Sequence, residues 1–499
     1  MAADFEIELK DAVPPLVLAL DVGSTASRGM VYDAHGRPVG KRAKVSHSFT
    51  AAGDGTSEID PDQIVEEVET LIDKLTAALE DQPVAGVALD TFASSLLVLD
   101  ADGAPLTPCF TYADSRCARQ VIELREELSE EALQQRTGTR VHNSYWPARL
   151  RWLAQDRPEV MERADRFLSM GDYILLKLTG TLATGTSTAA WTGLLDRHTA
   201  DWYAELVEIA GISTDQLPPI RHLDQPLEIA PKRAAKLAKR WPVLADAKWF
   251  APVTDGLAAN VGVGAVDETT MGASCSTSGA LRVLVREMPE ELPPGLWCYR
   301  VSHDRALLGG ALNDVGRALS WAEVTLAVDQ LEEDELSEAL TEEPHETTPL
   351  VLPFFTGERS TGWASDARAV MVGVGAGSAP VEVYRGVVEG IALAYARIAR
   401  ELRQVVPQPE KLYVGGGVAT GRPELLQVMA DAMRTVVTPV TIKRSTLHGT
   451  ALLALETVAP GVRRAKPERG SALSPDYRRR PYYTERFQRF ERVYEALFT

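Results

Sequence analysis

A short segment near the start of the chain combines an acid, small residues and one cation in a pattern that can hold a phosphate group. Asp21 ends an apolar run, and Gly23, Ser24, Thr25 and Arg28 follow it closely. Glycine lets the backbone approach an anion, hydroxyls add donors, and arginine adds a positive charge. Asp21 could hold Mg²⁺ through water, because magnesium gives up its hydration shell reluctantly. Taken alone, a plain β-turn explains the segment about as well.

A second small-residue segment, residues 274–279, lies in the other half of the chain and contains Thr277. A purely structural hairpin is an equal alternative for this segment when it is considered by itself. Two such segments, one in each half, favour a pair of phosphate-binding turns.

A glycine-rich link, residues 414–421, joins a strand pattern to a helix pattern and contains Gly416 and Gly417. Consecutive glycines cost chain entropy, so such a loop often marks a place where another group approaches the backbone. The adenine or ribose of a nucleotide is one candidate for that group. A tight strand-to-helix connection is the alternative.

Phosphoryl transfer to a hydroxyl also needs a carboxylate that orients the hydroxyl and takes its proton late in the reaction. Asp255 ends a strand pattern and is surrounded by small residues. Asp90, Asp114 and Asp366 also lie beside turns, where an acid often serves only as a cap. The residue pattern alone therefore leaves the choice among these acids open.

The common nucleotide-binding motifs are missing from the sequence. Residues 357–362 have the glycine spacing of a Walker loop, but Trp363 stands where that loop needs lysine. Nucleotide binding, if present, must then use the small-residue turns and the glycine-rich link.

Alternating patterns place these segments in an α/β fold with helices on a mixed sheet. Residues 16–32 predict a β-hairpin, and residues 84–90 predict a further strand that ends in an acid. Between them, Asp60 and Pro61 predict the start of an amphipathic helix with an apolar stripe from Ile64 onward. A similar order of elements returns in the second half of the chain.

The length of 499 residues exceeds what one hydrophobic core usually supports, so the sequence predicts two domains around a cleft. We place the boundary at residue 250, which gives domains 1–250 and 251–499. The stretch before this boundary is rich in proline and charge.

The composition excludes several classes of protein. A net charge of −18 argues against nucleic-acid binding, and a chain with 45% hydrophobic and 24% charged residues should fold as a globular protein. No long apolar run and no leader pattern is seen, which predicts a cytoplasmic protein without a membrane partner. The four cysteines are predicted to be buried free thiols, and the scattered histidines argue against a zinc site.

In this order, the segments resemble the FGGY carbohydrate kinases, which belong to the superfamily that includes actin and the heat-shock chaperones. The resemblance covers nearly the whole chain and includes segments 96–105, 111–116, 254–256 and 277–279. It implies two ribonuclease-H-like domains around a central cleft. It also implies ATP and Mg²⁺ as cofactors, a sugar-binding first lobe and an ATP-binding second lobe.

The same resemblance assigns roles to individual residues. Asp255 is implied to be the catalytic base that contacts the acceptor, and Asp21 to hold Mg²⁺ through water. Ser94, Asp114 and Arg116 are implied to bind the acceptor as well. The residues implied to bind nucleotide are Gly23, Ser24, Thr25, Arg28, Thr277, Gly316, Gly416 and Gly417.

The implied activity is ATP-dependent phosphorylation of a small sugar, sugar acid or polyol, and the exact acceptor stays open. Segments 136–139, 255–262 and 298–299 are most similar to gluconokinases, whereas residues 92–94 match neither gluconokinases nor xylulokinases. Gluconate is therefore the first candidate, and xylulose or another ketose or polyol is the second. A non-catalytic sugar or nucleotide sensor on the same fold is an alternative of another class, and a homodimer is left open.

Overall fold

The computed structural model describes residues 6–328, 333–406, 409–442 and 444–498. The chain divides into two compact units. The first consists of Met1–Gly262, Cys298–Leu307 and Arg444–Lys466, and the second of Val263–Trp297, Leu308–Lys443 and Pro467–Thr499.

The strands build two larger sheets. In chain order they are β1 (Leu16–Val22), β2 (Ala26–Tyr32), β3 (Pro38–Ser46), β4 (Thr50–Ala51), β5 (Ser57–Ile59), β6 (Val84–Thr91), β7 (Leu97–Leu99), β8 (Cys109–Phe110), β9 (Arg166–Leu168), β10 (Thr184–Gly185), β11 (Leu195–Asp196), β12 (Asp201–Trp202), β13 (Ile220–Arg221), β14 (Lys248–Trp249), β15 (Val253–Thr254), β16 (Thr270–Cys275), β17 (Gly279–Val285), β18 (Trp297–Arg300), β19 (Ala306–Leu312), β20 (Leu350–Leu352), β21 (Val370–Val372), β22 (Lys411–Gly415) and β23 (Val436–Pro439). One sheet has the order β14-β6-β1-β2-β3, with β15 also paired to β6, and the other has the order β18-β19-β17-β16-β22-β23.

Helices occur in both units. They are α1 (Pro61–Ala77), α2 (Ala118–Glu127), α3 (Glu130–Thr137), α4 (Trp146–Asp156), α5 (Pro158–Arg163), α6 (Met170–Thr179), α7 (Thr186–Thr192), α8 (Ala204–Ile209), α9 (Pro231–Arg240), α10 (Asp255–Gly262), α11 (Gly316–Thr325), α12 (Glu333–Thr341), α13 (Pro380–Val405), α14 (Gly417–Gly421), α15 (Pro423–Met433), α16 (Ser445–Val458) and α17 (Arg480–Phe498). No helix among the described residues is both long enough and apolar enough to cross a membrane.

The first sheet confirms the predicted hairpin and the strand that follows it. Every residue of β1 is buried, as expected for a central strand that is covered on both faces. β1 pairs antiparallel with β2, with Asp21 opposite Arg28, and parallel with β6.

Helix α1 covers one face of this sheet and begins where its capping residues predict. The Asp60 side chain accepts from the backbone N–H groups of Asp62 and Gln63, and Pro61 takes the first helical position. The apolar stripe that begins at Ile64 is buried in the same core as β1 and β6.

Helix α16 covers the other face, although it lies far along the chain. Leu447 and Leu455 of α16 pack in one cluster with Val17, Met30 and Phe250. This packing returns residues 444–466 to the first unit, and residues 298–307 also belong there. The predicted division into 1–250 and 251–499 differs from this arrangement, because a late helix completes the core of the first unit.

The second unit repeats the hairpin pattern. β16 and β17 form an antiparallel hairpin, with Cys275 opposite Gly279, and β22 runs parallel to β16. β22 leads through Gly416 into α14, as the glycine-rich pattern predicts. All four cysteines of the chain are buried and free, which confirms the prediction of thiols.

Candidate active site

Three acids lie at the carboxyl ends of neighbouring parallel strands in the first unit. Asp21 of β1 lies opposite Asp90 of β6 in the parallel register. On the other side of β6, Val253 of β15 lies opposite Asp90, and Asp255 directly follows β15 as the first residue of α10. The carboxyl ends of parallel strands are where open α/β sheets bind their ligands. This edge of the sheet is therefore the candidate active site.

Asp21 is buried and shares its carboxylate between two partners. Arg28 Nη1 lies 3.3 Å from Oδ2, and the Thr446 hydroxyl donates to the same oxygen at 3.2 Å. Burial raises the pKa of Asp21, while the Arg28 charge and the Thr446 hydrogen bond act in the opposite direction. The buried carboxylate is thus paired with the Arg28 guanidinium.

Asp90 is fully buried and only half satisfied. Its Oδ2 accepts from the Thr450 hydroxyl at 2.6 Å, and its Oδ1 has no hydrogen-bond partner among the described residues. Burial raises the pKa of Asp90 well above its usual range, and the charges of Asp21 and Asp255 act in the same direction. A buried carboxyl group that has one oxygen without a hydrogen-bond partner and lies beside two other acids is stabilised by binding a proton or a cation.

Mg²⁺ fits this arrangement. The ligands on offer are hard carboxylate oxygens, which magnesium prefers, and a cation would offset the repulsion among Asp21, Asp90 and Asp255. In the part of the chain that the structure describes, no group of three or more His, Cys, Asp or Glu side chains forms a ready metal cage. One or two carboxylates with water in the remaining positions is the usual way in which proteins hold magnesium.

Asp255 is half-buried and is fixed through its strand. The Thr188 hydroxyl donates to the Pro252 carbonyl oxygen at 2.8 Å, and the Thr254 N–H donates to Ser187 Oγ at 3.4 Å. A carboxylate held at a strand end in this way can orient a hydroxyl and receive its proton.

The turn between β1 and β2 has the properties of a phosphate-binding hairpin. The Gly23 N–H donates to the Ala26 carbonyl oxygen at 3.1 Å, and Arg28 Nη2 donates to the Thr25 hydroxyl at 3.3 Å. A Cβ atom at Gly23 would come within 3.0 Å of Arg28 Nη1, so glycine lets the guanidinium lie against the turn. Ser24 is half-buried and Thr25 is exposed, so both hydroxyls lie where an anion could reach them.

The second unit contains a pocket of about 770 Å³ that brings together three of the residues predicted to bind nucleotide. Thr277, Gly316 and Gly417 all line it, together with Trp321 and Val418. The pocket is large enough for a nucleoside, since small-molecule sites usually span about 300–1,000 Å³.

Gly316 and Gly417, which line this pocket, and the neighbouring Gly416 differ in whether packing excludes a side chain. Gly416 has a φ of +113°, and a Cβ atom there would collide with the Cys275 carbonyl oxygen. A Cβ atom at Gly316 would meet the Ser276 carbonyl oxygen at 2.8 Å. A Cβ atom at Gly417 would meet nothing within 4 Å. Packing therefore does not exclude a side chain at Gly417, so a substitution there changes the pocket without forcing a collision.

The residues predicted to bind the acceptor are engaged in bonds inside the first unit. The Ser94 hydroxyl donates to the Trp191 carbonyl oxygen at 2.7 Å. Asp114 accepts from the Ser57 N–H and from Arg116, whose guanidinium also reaches Glu58.

Arg149 joins the segments that carry these residues. Its guanidinium is buried and donates to the carbonyl oxygens of Ser94 at 2.6 Å and Asp114 at 3.5 Å. Ser94 itself adopts a φ of +57°, a backbone conformation that is uncommon for a residue other than glycine. Arg149 thus fixes two of the predicted acceptor residues relative to each other.

Sequence reasoning did not assign Asp90, Thr446 or Thr450 to the site. Asp90 carried a usable signal, since it ends an apolar strand in the same way as Asp21. Nothing in the local sequence indicates a role for the two threonines. Thr446 and Thr450 follow Asp21 and Asp90 by more than 350 residues and contact them only because α16 packs on the sheet.

Two domain models of one family match the chain. The N-terminal domain model of the FGGY family of carbohydrate kinases matches residues 16–261, and the C-terminal domain model matches residues 272–457. The chain belongs to the FGGY family of carbohydrate kinases. It is an ATP-dependent carbohydrate kinase with the two-domain α/β fold of the sugar kinases and actin-like ATPases.

FGGY kinases with different acceptors resemble this chain to a similar degree. The gluconokinase of Bacillus subtilis (strain 168) is 24% identical over 452 residues, which span 88% of this chain and 87% of the relative. The xylulose kinase of Lactococcus lactis subsp. lactis (strain IL1403) is 25% identical over 449 residues, with shares of 88% and 87%. The crystal structure of the gluconate kinase from Lactobacillus acidophilus superposes with a TM-score of 0.88 at 25% identity, covering 97% of this chain and 99% of that one.

Proposed function

We propose that this FGGY kinase transfers the γ-phosphoryl group of ATP to a hydroxyl of gluconate, with Asp255 as the general base. The observation that carries the proposal is the convergence of Asp21, Asp90 and Asp255 at the carboxyl ends of β1, β6 and β15. Phosphoryl transfer needs a cation near the phosphates and a carboxylate near the acceptor hydroxyl, and this edge offers acids for both tasks.

Asp255 orients the acceptor hydroxyl and takes its proton as the bond to phosphorus forms. The transition state is loose, so a base of ordinary strength suffices if it is well placed. Ser94, Asp114 and Arg116 are proposed to bind the remaining hydroxyls of the acceptor. All of these residues belong to the first unit.

Asp21 and Asp90 are proposed to hold Mg²⁺, which offsets negative charge on the phosphates when it is bound. The hairpin residues Ser24, Thr25 and Arg28 are proposed to receive phosphate oxygens through backbone amide, hydroxyl and guanidinium donors, and Gly23 is proposed to let the phosphate approach the backbone. Local donors are needed because the net charge of −18 disfavours a polyanion.

The pocket of the second unit is proposed to hold adenosine. Thr277, Gly316, Gly416 and Gly417 form or flank its wall, and the exposed ring of Trp321 lies in the same lining. Glycine backbone and an aromatic ring are both suited to contact with a flat base.

Gluconate is preferred because two segments that resemble gluconokinases lie together in the first unit. The Cys298 N–H donates to the Gly138 carbonyl oxygen at 2.9 Å. The next residue, Tyr299, stacks on Trp191 with ring centroids 3.5 Å apart. The bond between Ser94 and the Trp191 carbonyl oxygen connects this aromatic pair to the proposed acceptor residues.

One observation favours a neutral ketose or polyol such as xylulose as the second candidate. Arg116, the basic residue assigned to the acceptor, is already matched by Asp114 and Glu58. It therefore offers no net positive charge to the carboxylate of a sugar acid.

A panel of sugar acids, ketoses and polyols tests the assignment through ADP formation with saturating MgATP. We expect gluconate to give the highest kcat/KM, by roughly tenfold or more, the discrimination that one satisfied or unsatisfied polar contact provides. A higher kcat/KM for xylulose would transfer the assignment to the second candidate. A rate of ADP formation that no acceptor raises above the acceptor-free rate would contradict the proposed reaction itself.

A further inference from the structure

Helix α1 carries a buried acid on its otherwise apolar inner face. Glu67 is 7% exposed and lies among Ile64, Val68 and Leu71 of the apolar stripe. An ionised carboxylate in such a place is costly unless it is paired and hydrogen-bonded. The hydrogen-bond partners of Glu67 therefore indicate the role of this buried carboxylate.

The main partner of Glu67 is His47, which follows β3. His47 Nδ1 lies 2.8 Å from Glu67 Oε2, and the imidazole side chain is fully buried. Glu67 also accepts from the Ser27 hydroxyl at 2.7 Å and from Gln63 Nε2 at 3.0 Å. Both oxygens of the carboxylate are thus engaged by donors.

The other ring nitrogen of His47 holds the phosphate-binding hairpin. His47 Nε2 lies 2.8 Å from the Gly23 carbonyl oxygen, and the His47 N–H donates to the Thr25 carbonyl oxygen at 3.1 Å. One residue therefore contacts both arms of the turn in which Ser24 stands. The ring is also stacked on Phe49, with centroids 6.2 Å apart, which restricts its orientation.

The two bonds of the ring determine how many protons the pair must hold. The Gly23 carbonyl oxygen can only accept, so Nε2 must carry a hydrogen. The second bond then needs one more proton, either on Nδ1 of an imidazolium or on Glu67 facing a neutral imidazole. In either form, His47 donates to Gly23 and Glu67 fixes the ring that does so.

We propose that His47 is a positioning residue for the reaction, which holds the Gly23–Thr25 turn in its phosphate-binding conformation, and that Glu67 orients it. The proposal rests on the proposed function of the hairpin as a phosphate site. His47 itself touches no substrate in this assignment, because its contacts with the turn are to the carbonyl oxygens of Gly23 and Thr25 and not to the hydroxyls or the guanidinium assigned to phosphate.

His47→Leu tests the inference, since leucine fills much of the space and cannot donate to Gly23. We expect kcat/KM for MgATP to fall about tenfold, the scale of one lost hydrogen bond to a charged network. The KM for the acceptor at saturating MgATP should stay within about twofold of the unaltered protein. A purely structural role would instead affect both substrates alike.

Three further variants separate positioning from general destabilisation. His47→Gln restores a donor toward Gly23 and should recover part of the loss. Glu67→Gln can donate to Nδ1 of a neutral imidazole, so the bond to Gly23 survives and kcat/KM for MgATP should stay close to normal. Gln63→Ala removes another bond to Glu67 without touching the hairpin and should change neither substrate constant.

MgADP binding by calorimetry, with circular dichroism to confirm folding, provides a readout that needs no turnover. If His47→Leu fails to fold, His47→Gln carries the test and should weaken MgADP binding relative to the unaltered protein while leaving the acceptor KM unchanged. Normal kcat/KM for MgATP in both His47 variants, or equal losses for MgATP and acceptor, would overturn the positioning role. Failure of the unaltered protein to bind MgADP or to phosphorylate any acceptor would instead refute the proposed function, and the inference with it.

Discussion

Replacing Asp255 by asparagine keeps the size of the side chain and removes its ability to accept a proton. We expect turnover to fall by roughly a hundredfold or more, which is the usual scale for a lost general base. ATP binding and thermal stability should stay nearly unchanged, because α10 and β15 keep their packing. Steady-state kinetics of the purified variant, with calorimetry for ATP, check this, and near-normal turnover would contradict the role of Asp255.

Asp90→Asn should stabilise the protein at neutral pH while it weakens the dependence on Mg²⁺. The folded-state pKa of Asp90 is raised, so the native state binds more protons than the unfolded chain once pH exceeds the ordinary aspartate value. The free energy of unfolding of the unaltered protein therefore falls as pH rises from the ordinary aspartate pKa to the raised pKa of Asp90, by up to about 1.4 kcal/mol per pH unit for one group. Asparagine does not titrate, and it can accept from Thr450 while donating toward Asp21.

Urea unfolding between pH 5 and pH 8 measures this difference. The stability gain of Asp90→Asn over the unaltered protein should grow with pH and reach about 1–2 kcal/mol at pH 8. Asp366→Asn removes the same formal charge at an exposed position and serves as the control. A stability gain that is independent of pH, or a loss of stability at pH 8, would show that the pKa of Asp90 is not raised in the folded protein.

At the scale of single residues, local sequence identified the acids that end a strand pattern and missed the contacts that tune them. Asp21 and Asp255 stand beside small residues that signal a turn, so their positions at strand ends could be predicted. The burial of Asp90 between two other acids depends on which strands pair in parallel. Its bond to Thr450 joins residues 360 positions apart and is fixed by packing alone.

The short helix α14 and the loop before it provide a test at the scale of one element. Gly417→Val should weaken ATP binding by roughly tenfold or more and leave the acceptor KM nearly unchanged, because a branched side chain would enter the pocket that is proposed to hold adenosine. Gly421→Val is a matched control, since its Cβ also meets open space but Gly421 does not line the pocket. Both variants make the same substitution in the same short helix.

Calorimetry with MgADP and initial rates with varied acceptor separate the two effects of this substitution. Equal weakening by Gly417→Val and Gly421→Val would assign the loss to the helix and not to the pocket. Equal loss of nucleotide and acceptor binding in Gly417→Val would indicate general damage to the second unit.

Elements with strong local signals were predicted well, and elements that depend on tertiary contacts were not. The Asp60 cap, Pro61 and the apolar stripe define α1 within a few residues of sequence. The hairpins could be recognised from their turns in the same way. Nothing within α16 indicates which sheet it covers, because its small apolar residues would fit either unit.

At the scale of the whole molecule, the first unit is incomplete without residues 444–466 from the far end of the sequence, and this leads to a testable prediction. A fragment of residues 6–262 lacks α16 and exposes the apolar face around Val17, Met30 and Phe250. It also loses the hydroxyl donors to Asp21 and Asp90. Burying each large apolar side chain contributes about 1.5–3 kcal/mol, so losing Leu447 and Leu455 alone removes much of a typical stability of about 5–15 kcal/mol.

We therefore expect the fragment of residues 6–262 to aggregate or to unfold without a cooperative transition, as measured by circular dichroism and gel filtration. Joining residue 262 to residues 444–466 through a short glycine–serine linker should restore a cooperative transition. The join is feasible because a Cβ atom at Gly262 would touch the Ser445 carbonyl oxygen, which brings the two ends together within the first unit. Leu447→Asp in the linked fragment serves as the control and should abolish the gain, since it places a charge in the cluster that α16 completes. Equally cooperative melting of the fragment with and without residues 444–466 would show that the first unit folds without α16, and that the return of the chain is not needed to hold the acids of the site.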